Sequence, residues 1–140
     1  MKKYKLTDET KIICGVTLHR LEALRDFGIV KTGDLGGWVE SENNLSHDGN
    51  CWIYNDAWVY GDAWVYGDAR VSGYAEVFDD ARVFGDAWVS GHARVSGDAC
   101  VYDNAEVSGD ARVFGNARVS GHAEVSGNAK VSGDERRHRR

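Results

Sequence analysis

The residues of this sequence with chemistry to offer are its histidines, three cysteines and a regular series of aspartates. A histidine serves as a general base when it stands within ~3 Å of the attacking group. His47 stands beside Asp48, His19 beside Arg20, and His92 and His122 each follow a glycine. The slot held by His92 and His122 is filled elsewhere by Asp and Asn, which marks it as a turn position. Cys14, Cys51 and Cys100 are odd in number and far apart, so they give neither a disulfide framework nor a zinc spacing. No Ser or Cys nucleophile falls into a set with His and Asp. The aspartates recur behind glycines, as in Gly61-Asp62 and Gly67-Asp68, where such side chains accept backbone N–H bonds. A calcium roll needs Gly-Gly-x-Gly-x-Asp and another period, which this chain lacks. No catalytic residue, metal-ligand set or cofactor is therefore assigned.

What must position these residues is a repeat. Ile53 is followed by Val59 and then by valine at every sixth residue to Val131, without an insertion. Two residues before each stands a small side chain, Cys51 first and alanine from Ala57 to Ala129. The pattern extends back one step less well, to Leu45 and His47. A helix cannot use a period of six, because successive valines would point to different sides. A strand can, since Ala and the Val two later share one face. Each unit reads as a four-residue strand and a two-residue corner. At the corner glycine the only substitutes are Asn55, Asp79 and Asp103, the non-glycine types that best tolerate positive φ. Such a strand cannot bury itself and must stack on its copies.

The unit Val-x-Gly-Asp-Ala-x resembles the hexapeptide repeat of left-handed β-helices. That resemblance implies three units per coil, a triangular prism and a left-handed wind, where general rules favour right-handed crossovers. The expected fold is all-β: a left-handed parallel β-helix of eighteen residues per coil and about five coils over residues 45–134, roughly 24 Å long at ~4.8 Å per rung. The stretches Lys3–Leu6, Leu18–Phe27, Gly33–Val39 and Leu45–Tyr54 are similar to the start of a bacterial and phage hexapeptide-repeat family that includes the YdcK-like proteins, named transferases on the analogy of fold. Hexapeptide acyltransferases, as the resemblance has it, are trimers that bind an acyl donor between prisms with a histidine base. His47, His92 and His122 are the residues here that such a site would draw on, although His92 and His122 fall on different corners.

Stacking at eighteen residues sorts the outward side chains into three faces. The first carries Trp52 and Tyr54, then Arg70, Trp88, Glu106 and Glu124; the second carries Trp58 and Tyr60, then Glu76, Phe78, Arg94, Arg112, Phe114 and Lys130. The third carries Trp64, Tyr66, Arg82, Phe84, Cys100, Tyr102 and Arg118. Aromatic patches of this kind are unusual on monomers. Trp52, Trp58, Trp64, Tyr66, Phe84 and Tyr102 are therefore the interaction candidates, to be covered by the N-terminal segment or by a second chain.

Residues 1–44 lie outside the repeat, and Val39 is two out of step with Ile53. They read as a mostly β cap, with strands at 3–6 and 11–19 around a turn at Thr7–Thr10; Leu18, Leu21 and Leu24 could instead form a helical stripe ending at Gly28. Gly28, Gly33, Gly36 and Gly37 mark turns. Seven basic and seven acidic residues balance in this cap, six face fourteen over 45–134, and the tail 135–140 holds four Arg against one Glu. An acidic body argues against a nucleic-acid partner, whose phosphates dominate affinity. No signal peptide or membrane span is evident, so a cytoplasmic protein is expected. The function expected is a non-catalytic structural or protein-binding solenoid, phage-related by its resemblance, which self-associates through flat or aromatic-rich faces into a homo-oligomer, trimer or dimer. The alternatives are an acyltransferase-like enzyme with a site between subunits and an acidic DNA-mimic inhibitor.

Overall fold

The computed structural model describes residues 2–140. The chain enters as β1 (Tyr4–Ile13), returns as β2 (Val16–Ala23) and adds β3 (Leu35–Val39) before one 3-10 turn at Glu42–Asn44. Fourteen short strands follow, from Trp52–Ile53 to Lys130–Val131, and a last strand spans Arg136–Arg139.

Consecutive repeat strands do not pair with each other. Each pairs in parallel with the strand eighteen residues away, so that Val59, Val77 and Val95 lie one above another on adjacent rungs. Three separate stacks result, headed by Ile53, Val59 and Val65, which makes three strands to a coil. Every Ala from Ala57 to Ala117 and every Val from Val59 to Val119 is fully buried. The rungs are joined by backbone bonds of one type repeated, such as Trp58 N–H to Ala75 O at 2.9 Å and Tyr60 N–H to Val77 O at 3.0 Å.

The solenoid has about six turns rather than the expected five, because the N-terminal segment supplies rungs of its own. Trp38 and Val39 in β3 pair in parallel with Trp58 and Val59, and Leu45 bridges Val65. Both offsets are twenty residues, not eighteen. Two extra residues between Leu45 and Ile53 absorb the difference. Leu45 thereby takes the valine place, fully buried, and His47 does not replace a core aliphatic as the six-residue spacing implied. At the other end the charged tail also forms a rung, Arg136–Arg139 on Arg118–Gly121, with Arg137 opposite Val119 and paired to Glu135 at 2.6 Å.

The cap is β-rich, with a different turn from the one expected. β1 runs straight through Thr7–Thr10, where its pairing with β2 shifts at an irregularity between Leu6 and Thr10. The chain reverses instead at Cys14 and Gly15, with φ of 50° and 80°. Leu18 and Leu21 are buried strand residues, not one stripe of a helix. Gly28 and Gly33 do turn with positive φ, whereas Gly36 and Gly37 sit inside β3 for close packing. A Cβ on Gly36 would stand 2.6 Å from the Trp52 ring, and one on Gly37 would stand 2.5 Å from Ala57 O.

The corners behave differently from the sequence reading in one respect. The side chains that tie rung to rung are the substitutes for glycine: Asn55, Asp79 and Asp103 accept from the N–H of Gly73, Gly97 and Gly121 at 3.1, 3.0 and 2.9 Å. Of the aspartates that follow the corner glycine or its substitute, Asp68 accepts such a bond, from Asn50 N–H, while Asp62, Asp80 and Asp98 accept none from the backbone among the described residues. Asp103 therefore offsets its positive φ of 59° with a bond that alanine cannot make. Replacing Asp103 by Ala is expected to cost about 2–3 kcal/mol, the sum of left-handed strain and a lost hydrogen bond. Asp103→Gly removes the strain and should cost about 1 kcal/mol or less; urea midpoints of the two variants test the order.

Candidate functional site

The third face carries the longest aromatic ladder. Tyr66, Phe84 and Tyr102 stack at centroid distances of 4.8 and 5.0 Å with planes 2° apart, and Trp64 leans on Tyr66 at 4.0 Å. The spacing is simply that of parallel rungs, which puts identical positions over one another. Trp64 remains 41% exposed, and the three stacked rings are half-buried by one another. Cys100 stands in the outward column beside them, between Arg82 and Arg118.

Trp52 and Trp58 are placed differently. Trp52 lies under the cap at 1% exposure, edge-on to Phe27 at 5.2 Å and Tyr4 at 6.2 Å, so the chain itself covers it. Trp58 is half-buried beneath the β1–β2 hairpin, whose Lys11 ammonium stands 4.9 Å over its ring and 4.2 Å over Trp38. The indole N–H groups of Trp38 and Trp58 are buried there without a hydrogen-bond acceptor. A cleft of about 640 Å³ opens between the hairpin and the second face, lined by Lys11, Ile13, Cys14, Trp58, Tyr74 and His92 among others.

The three histidines that an acyltransferase-like site would draw on are not brought together. His92 is exposed and stacks on Tyr74 at 5.1 Å with rings 6° apart. It shares the cleft with Cys14, and no hydrogen bond joins the two among the described residues. The sequence could not have paired them, since that needs the reversal at Cys14–Gly15. His122 is exposed on another corner. His47 is fixed at the seam between cap and solenoid: Nδ1 accepts from Lys3 N–H at 3.1 Å, Nε2 meets Glu42 at 2.8 Å, and the ring stacks on Tyr4 at 4.1 Å. With both nitrogens engaged it has no free position for a substrate.

The same seam contains a residue that no motif or spacing marks. Lys3 is fully buried, its ammonium held by Cys51 O at 2.7 Å, Gly49 O at 3.4 Å and Cys51 Sγ at 3.3 Å. Burial lowers the Lys3 pKa and raises that of the Cys51 thiol. Lys3 thus closes the carbonyls left open where the rungs begin. Asn44 does the same next door, donating to Gly61 O at 3.1 Å and Ala63 O at 2.9 Å. Glu42 is held below the usual carboxylate range, first by its bond to His47 and then by Lys2. A carboxylate of lowered pKa stabilises the fold above its unfolded value, and that contribution disappears as pH falls through the lowered value. Glu42→Gln should cost up to about 1 kcal/mol near pH 7, as exposed pairs do. In urea titrations the gap between wild type and variant should narrow toward pH 3.

Among the described residues no group of three or more His, Cys, Asp or Glu is placed to hold a metal ion. Nor is any helix long and apolar enough to cross a membrane.

Two comparisons bear on identity. The sequence family described as the YdcK beta solenoid repeat matches residues 105–121. A curated relative, the uncharacterized acetyltransferase YdcK of Escherichia coli (strain K12), is 36% identical over 63 residues, 39% of this chain. The match spans 19% of that relative's length. The six-residue register and the three-stack solenoid under its β cap agree with these matches, and over the matched residues the chain is similar to the YdcK-like hexapeptide-repeat β-solenoid proteins.

Proposed function

We propose that the chain is a non-catalytic interaction solenoid that self-associates through its third face. Residues 1–44 act as the cap that closes one end, 45–134 as the body that carries the contact, and 135–140 as a charged tail. We assign the body a triangular, left-handed wind by its hexapeptide resemblance. The observation that carries the reading is the ladder Tyr66–Phe84–Tyr102 with Trp64 beside it. Flat rings held at rung spacing present a rigid apolar strip, and rigid aromatics lose little side-chain entropy on contact. Arg82 and Arg118 in the neighbouring column suit the rim of such a patch, where arginine is favoured over lysine.

A second reading, acyl transfer, is supported by the name of the Escherichia coli relative and by the cleft that holds His92 and Cys14. Turnover of acetyl-coenzyme A by the wild type, lost in His92→Asn with the oligomer intact, would select it. A DNA-mimic role finds less support, because cationic columns lie on both faces beside the Asp62–Asp80–Asp98 edge. The self-association reading expects a defined oligomer by light scattering. Phe84→Ser and Tyr102→Ser should each weaken it by about tenfold or more, as loss of a buried aromatic anchor does. An unchanged mass in the double variant, with native circular dichroism, rules the third face out.

A further inference from the structure

Two ladders of like charge run along this chain, and most of their members form no salt bridge among the described residues. On the second face Arg94, Arg112 and Lys130 occupy successive rungs of one column. Arg94 is paired with Glu76 at 2.8 Å, while Arg112 and Lys130 form no salt bridge among the described residues. All three are exposed, and they line shallow clefts of about 510 and 250 Å³ with His92, Asp110, Phe78 and Phe114. On the edge between the second and third faces, Asp62, Asp80 and Asp98 form an exposed acidic column that accepts no backbone bond among the described residues. Asp80 is held above the usual carboxylate range by lost hydration and by Asp62, Asp98 and Asp79 around it. Like charges on adjacent rungs destabilise a sheet. Each ladder gains from an opposite charge repeated at the same interval.

A β-solenoid supplies that interval. Its rungs rise about 4.8 Å, closer than alternate residues of an extended peptide, at roughly 6.6–6.8 Å. The ladders also occupy opposite halves of the molecule. The acids belong to the three repeat coils nearest the cap and the cations to the three nearest the tail, and they overlap in the coil of Arg94 and Asp98. A second copy lying antiparallel therefore sets acids against cations twice, as a two-fold contact requires.

We infer that the Arg94–Arg112–Lys130 column of one copy docks on the Asp62–Asp80–Asp98 edge of a second, antiparallel copy. This contact uses a surface other than the third-face aromatic strip and does not depend on it. Such a contact is steered and held by charge, so it weakens with salt.

The test uses full-length chain in light scattering and sedimentation. Three variants are compared: Arg112→Glu with Lys130→Glu, Asp62→Lys with Asp80→Lys, and the chain carrying all four changes. Each half-reversed variant should lose the contact, about tenfold or more in affinity, and the two mixed together should associate. The four-change chain should regain it alone, because its ladders have exchanged signs. Wild-type association should fall by about tenfold or more between roughly 0.05 and 0.5 M sodium chloride. Arg112→Gln with Lys130→Gln, checked by circular dichroism, covers the case in which a reversal disturbs folding. Half-reversed chains that associate as wild type does, or a four-change chain that stays apart, overturn the inference. If Phe84→Ser still dissociates the assembly in that case, the aromatic contact stands without the ladders.

Discussion

A rung of this solenoid cannot exist alone. Its inner side holds one alanine and one valine, too little apolar surface to offset the ordering of six residues. Its backbone groups point up and down the stack, where only another rung can meet them. Burial and hydrogen bonding thus depend on the same condition, that the next segment repeats the shape at the same interval. That condition explains why no residue is inserted between Ile53 and Val131. It also explains why outward side chains line up by type, since the chain that stacks its valines must stack everything else.

A stack of this kind has two ends, and the structure deals with them in different ways. At the start, unpaired carbonyls meet an ammonium from Lys3 and an amide from Asn44, while Glu40 accepts from Gly61 N–H at 2.8 Å. These polar groups substitute for the rung that is not there, under the cover of Tyr4, Phe27 and Trp52. On the rung that follows Val131, Glu135 and Arg137 stand where Ala and Val would be, and their pairing places charge over the layer of Val119. Lateral contacts through flat faces remain available, which is the geometry that the proposed self-association uses.

The body was legible in the sequence because its signal is a repeat: one register fixes the strands, the core and the facing columns at once. The substitution of Asn55, Asp79 and Asp103 for glycine even disclosed the positive φ. The three-strand coil needed more, since a period of six sets no number of sides. The ends were harder to read for a physical reason. Val39 and Leu45 belong to the stack, but two extra residues before Ile53 hide their register. The burial of Lys3 and its hold on His47 Nδ1 come from contacts more than forty residues apart, which leave no local trace. Likewise the cleft at His92 exists only because the hairpin reverses at Cys14 rather than at Thr7–Thr10.

Native-state hydrogen exchange measures the dependence of each rung on its neighbours most directly. Amides of the Val77–Val113 coils, stacked on both sides, should be protected most and lose protection together. Protection should decline toward β3 at one end and toward Arg136–Arg139 at the other. Equal protection in every coil, or slower exchange in the β1–β2 hairpin than in the central rungs, would contradict a fold held by stacking.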